Sequence, residues 1–147
     1  MKKWLFNLSC IALLFALTTS SKPVDYYSIT VKVNNIRHDY GTIQLQVYRS
    51  AEAFKNETAW KVRLFKKTDV KNNCMTCVIT GIPPGEYGVA LLDDENSDTK
   101  MNYSFLLPKE GFGFSDYFHT AWSKPKFESF KFSLSADKQV SIKVRYV

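Results

Sequence analysis

Apolar residues recur at every second position in several short segments of this chain. Three runs show the period most clearly: Ile29, Val31 and Val33; Ile43, Leu45 and Val47; and Val140, Ile142, Val144 and Tyr146. Successive side chains of a β-strand point to opposite faces of a sheet, so this period is typical of strands that bury one face. The period of 3.6 residues that marks a long amphipathic helix is not found, and only a short helical turn is expected, over residues 51–58.

About seven such strands, separated by turns, predict an all-β fold, an antiparallel β-sandwich of the immunoglobulin-like or transthyretin-like kind. In the segment Glu86–Leu92, the residues that would point to either face of a strand are almost all apolar or Gly. This is typical of a central strand covered on both faces. It follows Gly81–Gly85, where two prolines cannot donate hydrogen bonds to a sheet and therefore predict a turn.

The first residues have the layout of a secretory signal peptide. Two lysines precede an apolar run, Trp4–Leu17, and small polar residues follow it. The run is shorter than the ~20 apolar residues that cross a bilayer, and no later segment could serve as a transmembrane anchor. We therefore expect residues 1–21 to be removed and residues 22–147 to form one β-sandwich domain, in the periplasm or secreted.

The charge distribution argues against a nucleic-acid partner. The whole chain carries 20 Lys and Arg against 14 Asp and Glu, a net charge of +6, and the leader holds two of the lysines, which leaves +4. The remaining basic residues are spread along the chain and form no block. For an exported domain, the expected partner is a protein or a glycan of the cell envelope.

Cys74 and Cys77 are the cysteines that remain after removal of the leader, which contains Cys10. An oxidising compartment favours a disulfide bond between them. In a regular strand, residues three apart lie about 10 Å apart on opposite faces, so the bond requires a turn, which Asn72 and Asn73 could start. A disulfide bond and a pair of free thiols remain the two alternatives, since a redox site lacks its helix and a zinc site would need two more ligands, for which only His38 and His119 are available.

A connection of about forty residues separates the strand that ends at Leu92 from the one near Phe130, far more than the usual few. Its second half is rich in aromatic residues, so it must either pack onto the sandwich or present an aromatic surface to a partner. Packing as a plug over one end of the core is the first alternative. The second is a ligand-binding surface, for which the candidates are Glu110, Phe112, Phe114, Tyr117, His119 and Trp122.

This connection opens with the acidic segment Asp93–Asn102, whose oxygen-bearing residues alternate as the ligands of calcium loops do. The candidate calcium ligands are Asp94, Asn96, Asp98 and the backbone carbonyl of Lys100. Thr99 and Phe105 stand where such a loop has a Gly and a bidentate Glu. A calcium site and an acidic turn closed by its own hydrogen bonds are therefore both open.

Residues of catalytic type occur in two places. Ser115 and His119 are close in sequence with an Asp between them, but no strand–turn–helix elbow precedes the serine, so a hydrolase triad is not expected. Glu110 and a carboxylate of Asp94–Asp98 could form the acid pair of a glycosidase. Alternatively, Glu110 accepts hydrogen bonds from the backbone of the turn Gly111–Gly113.

Three motifs occur in a fixed order: Gly81–Ala90, Asp94–Glu95–Asn96, and Pro108–Ser115 with Pro125 and Phe127. Together they resemble an uncharacterised family of exported bacterial β-sandwich proteins, the domain of unknown function 2141. The resemblance covers nearly the whole chain after the leader and implies a small exported protein of Gram-negative bacteria with no established reaction or cofactor. Asp93, Thr99 and Asn102 depart from that pattern, in which His, Gly and Asp are usual.

We therefore expect a non-catalytic binding or structural module of the bacterial cell envelope. The alternative is a carboxylate-dependent, glycosidase-like hydrolase that acts through Glu110 and the Asp94–Asp98 segment.

Overall fold

The computed structural model describes residues 24–147, so the expected signal peptide, residues 1–21, lies outside the described part of the chain. Ten strands are found in these residues. They are β1 (Tyr27–Asn34), β2 (Thr42–Tyr48), β3 (Lys61–Lys66), β4 (Cys74–Ile82), β5 (Gly85–Asp94), β6 (Tyr103–Ser104), β7 (Leu107–Pro108), β8 (Gly111–Phe114), β9 (Lys131–Leu134) and β10 (Lys138–Lys143). The helical elements are α1 (Ala51–Lys55) and two 3-10 helices, Lys67–Asp69 and Phe127–Ser129. No helix among the described residues is long and apolar enough to cross a membrane.

The strands form two packed sheets and a separate hairpin of β6 and β7. One sheet has the order β10-β1-β4, and the other has the order β3-β2-β5-β8, with β9 also paired to β5. One edge of the long strand β5 holds two partners in succession: β9 pairs with its first half and β8 with its second. The predicted all-β sandwich is confirmed, with more strands than the seven expected and with one parallel pair, β1 and β10.

The inner faces of the two sheets bury the alternating residues that predicted them. One hydrophobic cluster contains Ile29, Val31, Val33, Ile43, Leu45, Val47, Met75, Cys77, Ile79, Val140, Ile142 and Val144, together with residues of β5. Because full burial of a Val, Leu or Ile side chain contributes roughly 2 kcal/mol, this interface is the main source of stability of the fold.

Strand β5 is buried on both faces, as its continuous apolar character predicted. Tyr87, Val89 and Leu91 point into the inner core, while Ala90 belongs to a second cluster on the outer face of the sheet. The second cluster is aromatic and consists of Tyr48, Phe54, Ala90, Phe114, Phe127 and Phe130. Helix α1 and the 3-10 helix Phe127–Ser129 supply Phe54 and Phe127, so these two elements cover the outer face.

The buried aromatic residues of the long connection, Phe114, Phe127 and Phe130, thus pack against the outer face of a sheet. The expectation that the connection would plug one end of the core is wrong. The cause is the register of β8, which pairs with Ala90–Asp93 and turns its two glycines inward and its two phenylalanines outward. A β-carbon at Gly113 would stand 2.5 Å from Ile142, so only glycine lets β8 lie this close to the core. The ring of Phe114 then packs at 5.1 Å from that of Phe130, centroid to centroid.

Candidate functional site

One end of the sandwich collects most of the charged groups that could take part in binding or chemistry. It is the end at which β5 finishes and β2 and β8 begin, since Thr42 pairs with Asp94 and Gly111 with Asp93. The C-terminal segment reaches the same end, where Arg145 forms a β-bridge with the residue after Gly111. Residues that are far apart in the sequence are brought together here by the sheet topology.

Lys67 and Asp93 form a completely buried ion pair at this end. The Lys67 Nζ atom lies 2.5 Å from Asp93 Oδ1, and neither side chain has any exposed surface. Tyr146 donates its hydroxyl hydrogen to the other carboxylate oxygen, Oδ2, also at 2.5 Å. Burial, together with this bond to Asp93, raises the pKa of Tyr146, so its hydroxyl stays protonated at neutral pH and acts as a donor.

Arg37 covers the outer side of this buried group. Its Nε and Nη2 atoms donate to the two carboxylate oxygens of Glu95 at 2.6 and 2.8 Å, and its guanidinium lies 4.3 Å from the centre of the Tyr146 ring. The hydrogen bond from Arg37 holds the pKa of Glu95 below its ordinary value, although burial acts in the opposite direction. The backbone N–H of Arg37 also donates to the Tyr146 hydroxyl, which fixes the direction of that group.

An open recess of about 290 Å³ adjoins Arg37. Its lining residues are Ile36, Arg37, His38, Asp39, Val70, Asn72 and Asn73. The sequence did not reveal it, because the lining comes from two loops that only the pairing of β1 with β4 brings together.

The acidic segment forms a turn that its own hydrogen bonds close. Asp94 is buried, and its carboxylate accepts the backbone N–H groups of Asp98 at 3.1 Å and Thr99 at 2.8 Å. Asp98 in turn accepts the N–H of Lys100 at 2.9 Å and the side-chain amide of Asn102 at 2.8 Å. These are the hydrogen bonds of the acidic turn that was the alternative to a calcium site.

The predicted calcium ligands Asp94, Asn96 and Asp98 therefore lie in one turn, but their oxygens face amide groups of that turn. Asn96 Oδ1, for example, accepts the backbone N–H of Asp98 at 3.0 Å. Within residues 24–147, no group of three or more His, Cys, Asp or Glu side chains is arranged as metal ligands would be. Calcium binding, with the backbone carbonyl of Lys100 as a further ligand, stays a prediction.

Glu110 holds the same turn from the other side. It is 4% exposed, and its two oxygens accept the backbone N–H groups of Glu95 at 3.2 Å and Asn102 at 3.0 Å. The expectation that it would bind the adjacent turn Gly111–Gly113 is therefore wrong, because β8 carries those glycines into the sheet. Burial raises the pKa of Glu110, with the two backbone bonds acting against it and the nearby Asp94 acting in the same direction.

The hairpin of β6 and β7 presents the most exposed apolar residues in the described part of the chain. Phe105 and Leu106 form its two-residue tip and are 99% and 93% exposed. Both have positive φ values, 47° and 68°, as the central residues of a type I′ turn do. Asn and Gly are preferred there because a β-carbon is strained in this conformation, so two bulky apolar residues are unusual.

Most of the predicted ligand-binding residues are built into the fold. Trp122 is 79% exposed, whereas Phe114 and His119 are buried and Phe112 and Tyr117 are half-buried. Together with the buried Glu110, these positions do not form one exposed surface. Sequence reasoning noted the aromatic content of the connection but missed the hairpin tip, because the period-two pattern does not extend through residues 103–108.

Ser115 and His119 have structural partners, as the absence of an elbow before the serine suggested. The Ser115 hydroxyl donates to the carbonyl oxygen of Phe130 at 2.7 Å and accepts the N–H of Val89 at 3.0 Å. His119 contacts the carbonyl oxygen of Ser123 through Nε2 at 2.5 Å, so that nitrogen carries the hydrogen. These bonds attach the end of β8 to β5 and to the segment before β9.

The two cysteines of the described chain are free, and the disulfide alternative is not realised. Asn72 and Asn73 do have positive φ values, but the turn they form is closed by backbone hydrogen bonds between Lys71 and Cys74 and does not extend to Cys77. Both cysteines then lie in the regular strand β4, with Cys74 exposed and Cys77 in the core. Burial raises the pKa of the Cys77 thiol to about 11.

Comparison with known proteins gives one family. A family model described as an uncharacterised protein conserved in bacteria (DUF2141) matches residues 31–143, which is more than three quarters of the chain. The match begins within β1 and ends with β10, so it covers both sheets. No curated protein and no solved structure matches the chain.

Proposed function

The chain belongs to the DUF2141 family of bacterial proteins, and from this premise we propose that it is an exported, non-catalytic binding module of the cell envelope. Its contact point is the tip of the β6–β7 hairpin, which inserts into an apolar recess of a protein partner. The single observation that carries this proposal is the exposure of Phe105 and Leu106 at a position where the backbone conformation disfavours them.

The strain at the tip supports a binding role. A residue other than Gly in the left-handed region costs roughly 1–2 kcal/mol of stability. Because Phe105 and Leu106 are almost fully exposed, burial of their side chains within the described chain does not offset this cost. Sequences under selection for stability alone would place Asn-Gly here. Burial of both side chains in a partner would recover the free energy that the isolated domain forgoes.

The surroundings of the tip favour a protein as the partner. Tyr103 and Leu107, next to the tip, are also exposed, one on each face of the hairpin, and the polar residues Asn102 and Lys109 flank it. A small apolar centre with a polar rim is the usual composition of a protein–protein contact. Aromatic and aliphatic anchors that fill a pocket commonly supply most of the binding free energy of such contacts.

The carboxylates considered for hydrolysis support the non-catalytic alternative. Glu110 and Asp94 are buried, and each accepts two backbone N–H groups of the turn between them. Carboxylates that hold a turn in this way face away from solvent, whereas a glycosidase pair must flank a sugar bound in a cleft.

A photoreactive amino acid at Tyr103 tests the proposal in the bacterial envelope. We expect a discrete protein adduct that disappears when the tip is replaced by the double substitution Phe105→Asn and Leu106→Gly. The same photoreactive residue at Val78, which is exposed on the outer face of the three-stranded sheet, serves as the control and should give no such adduct.

Two outcomes would contradict a protein partner. One is an adduct at position 103 that persists with the Asn-Gly tip. The other is tip-dependent binding of the purified protein to lipid vesicles without any protein adduct, which would point to a membrane surface instead.

A further inference from the structure

The contact between Lys67 and Asp93 has a geometry that allows a covalent bond as well as an ion pair. We propose that the Lys67 amine and the Asp93 carboxyl group condense after folding into an intramolecular amide, an isopeptide bond, with the loss of one water molecule. Three observations support this bond: the 2.5 Å contact between Nζ and Oδ1, the complete burial of both side chains, and the hydrogen bond from Tyr146 to Oδ2.

The contact gives the proton that the amine must lose a direct acceptor. Oδ1 is 2.5 Å from Nζ, and in the first step of the proposed reaction a proton passes from Nζ to Oδ1, which leaves an uncharged amine and an uncharged acid. The uncharged amine is a nucleophile, whereas the ammonium ion is not. The apolar residues of the inner core lie next to this pair, since Asp93 directly follows the core strand positions of β5.

The reacting atoms are close enough for attack. With Nζ 2.5 Å from Oδ1, an ordinary hydrogen-bond angle places Nζ roughly 3.3 Å from the carboxyl carbon, within the near-attack range of 3–3.5 Å. Lys67 lies in a 3-10 helix and Asp93 in a central strand, so the backbone holds both side chains in register.

Tyr146 is positioned to stabilise the charge that develops during attack. Its hydroxyl donates to Oδ2 and accepts the backbone N–H of Arg37 at 3.0 Å, so its hydrogen is directed at the oxygen that becomes negative. A donor already aimed at the oxyanion is the usual way in which proteins accelerate acyl transfer.

Atoms and charges balance without any added reactant. After proton transfer to Oδ1, the amine nitrogen forms a bond to the carboxyl carbon, and the electron pair of the C–Oδ2 double bond moves onto Oδ2. A second proton passes from nitrogen to Oδ1, the C–Oδ1 bond breaks, and water leaves as the C–Oδ2 double bond re-forms. The ammonium and carboxylate charges cancel, and the product is a neutral secondary amide.

The bond would tie an edge of the sandwich to its centre. Strand β3 is an edge strand, and Lys67 follows it directly, whereas Asp93 lies near the end of the central strand β5. A covalent link between them keeps β3 in place, which suits a protein that lies outside the cytoplasm and is exposed to proteases.

Mass spectrometry of the purified full chain under denaturing conditions tests the bond. We expect a mass lower than that of the sequence by one water, and a branched tryptic peptide in which the segment from Lys67 to Lys71 is linked to the segment from Asn72 to Lys100. Separate, unmodified peptides in the natural chain would overturn the proposal, and this result does not depend on whether any variant folds.

Two variants locate the chemistry. Lys67→Arg keeps the positive charge but is not a nucleophile, so its mass should equal that of its sequence; a mass still lower by one water would place the modification elsewhere and overturn the proposal. Tyr146→Phe keeps both reacting groups, and bond formation followed from synthesis onwards should be about a hundredfold slower. An unchanged rate would exclude Tyr146 from the reaction.

Discussion

Gly41 lies so close to Asp94 that a β-carbon on it would stand 2.3 Å from the Asp94 carbonyl oxygen. Its φ of +81° is also one that residues with side chains rarely adopt. Gly41 precedes β2 and Asp94 ends β5, so this contact sets the spacing of the two central strands at the charged end of the sandwich. The acidic turn that follows Asp94 depends on that spacing.

We therefore expect Gly41→Ala to lower the free energy of unfolding by about 3 kcal/mol or more, because the new methyl group meets backbone atoms that cannot move aside. Gly81→Ala is the matched control, since Gly81 has a φ of +70° but its β-carbon would meet nothing closer than 3.9 Å. Backbone strain alone should cost the control about 1 kcal/mol. Urea denaturation of both variants measures the difference, and equal losses would contradict the close contact.

The Arg37–Glu95 pair should make stability fall in acid. The pKa of Glu95 is lower in the folded than in the unfolded chain, so its contribution is complete above its ordinary value and is lost as the pH falls through the folded value. Glu95→Gln should lower the free energy of unfolding by about 1 kcal/mol at pH 7. In acid, the variant and the natural protein should have the same free energy of unfolding.

The control for that measurement is Glu57→Gln, which removes a pair with Lys124 whose side chains are 78% and 44% exposed. Because solvent screens such a pair, we expect little change at any pH. A Glu95→Gln difference that stayed constant from neutral to acid pH would show that charge does not contribute to the Arg37 contact.

The strained hairpin tip should be easy to stabilise. The double substitution Phe105→Asn and Leu106→Gly gives the preferred sequence of a type I′ turn and should raise the free energy of unfolding by about 1–2 kcal/mol. Replacing both residues by Ala removes the apolar surface but keeps the strain, so it should bring no such gain. Thermal denaturation compares the three proteins, and a loss of stability with Asn-Gly would mean that Phe105 and Leu106 contribute to folding.

Phe114 and Trp122 should differ sharply, although both belong to the aromatic connection. Phe114 packs against Phe54 and Phe130 in the outer cluster, so Phe114→Ala should cost about 3–4 kcal/mol of stability. Trp122 is largely exposed, and Trp122→Ala should change stability by less than about 0.5 kcal/mol. Similar losses of stability in chemical denaturation would contradict the burial of Phe114 in the outer cluster and the exposure of Trp122.

The two thiols should react at different rates. Burial raises the pKa of Cys77 to about 11, so hardly any thiolate forms at pH 8 and an alkylating reagent cannot reach it in the folded protein. Cys74 is exposed and should be alkylated. Peptide mapping after brief labelling should find the reagent on Cys74 alone, and on both residues in denaturant; labelling of Cys77 in the native protein would place it outside the core.

The strands and their buried faces followed from the sequence, because the period of a strand is a local property. Ile29 to Val33, Ile43 to Val47 and the segment at Val140 all have the faces that their alternation predicted, and the continuous apolar run in β5 identified the doubly covered strand. The family resemblance also followed from local motifs, and the family match confirms it.

The candidate site did not follow, because it depends on which segments the sheets bring together. Glu110 reaches across to Asn102 and Glu95 and not to the glycines beside it, since β8 takes those glycines into the sheet. Phe114 is buried because β8 pairs with β5, and Phe105 is exposed because a two-residue turn reverses the chain there.

The sequence by itself thus determined the fold class, the strand faces and the family. Only the tertiary structure decided that Lys67 and Asp93 meet in the interior beside Tyr146, and that two apolar residues are exposed at a hairpin tip. The physical reason is that alternation along a strand is set by neighbouring residues, whereas burial of a charge and exposure of a ring depend on segments tens of residues away.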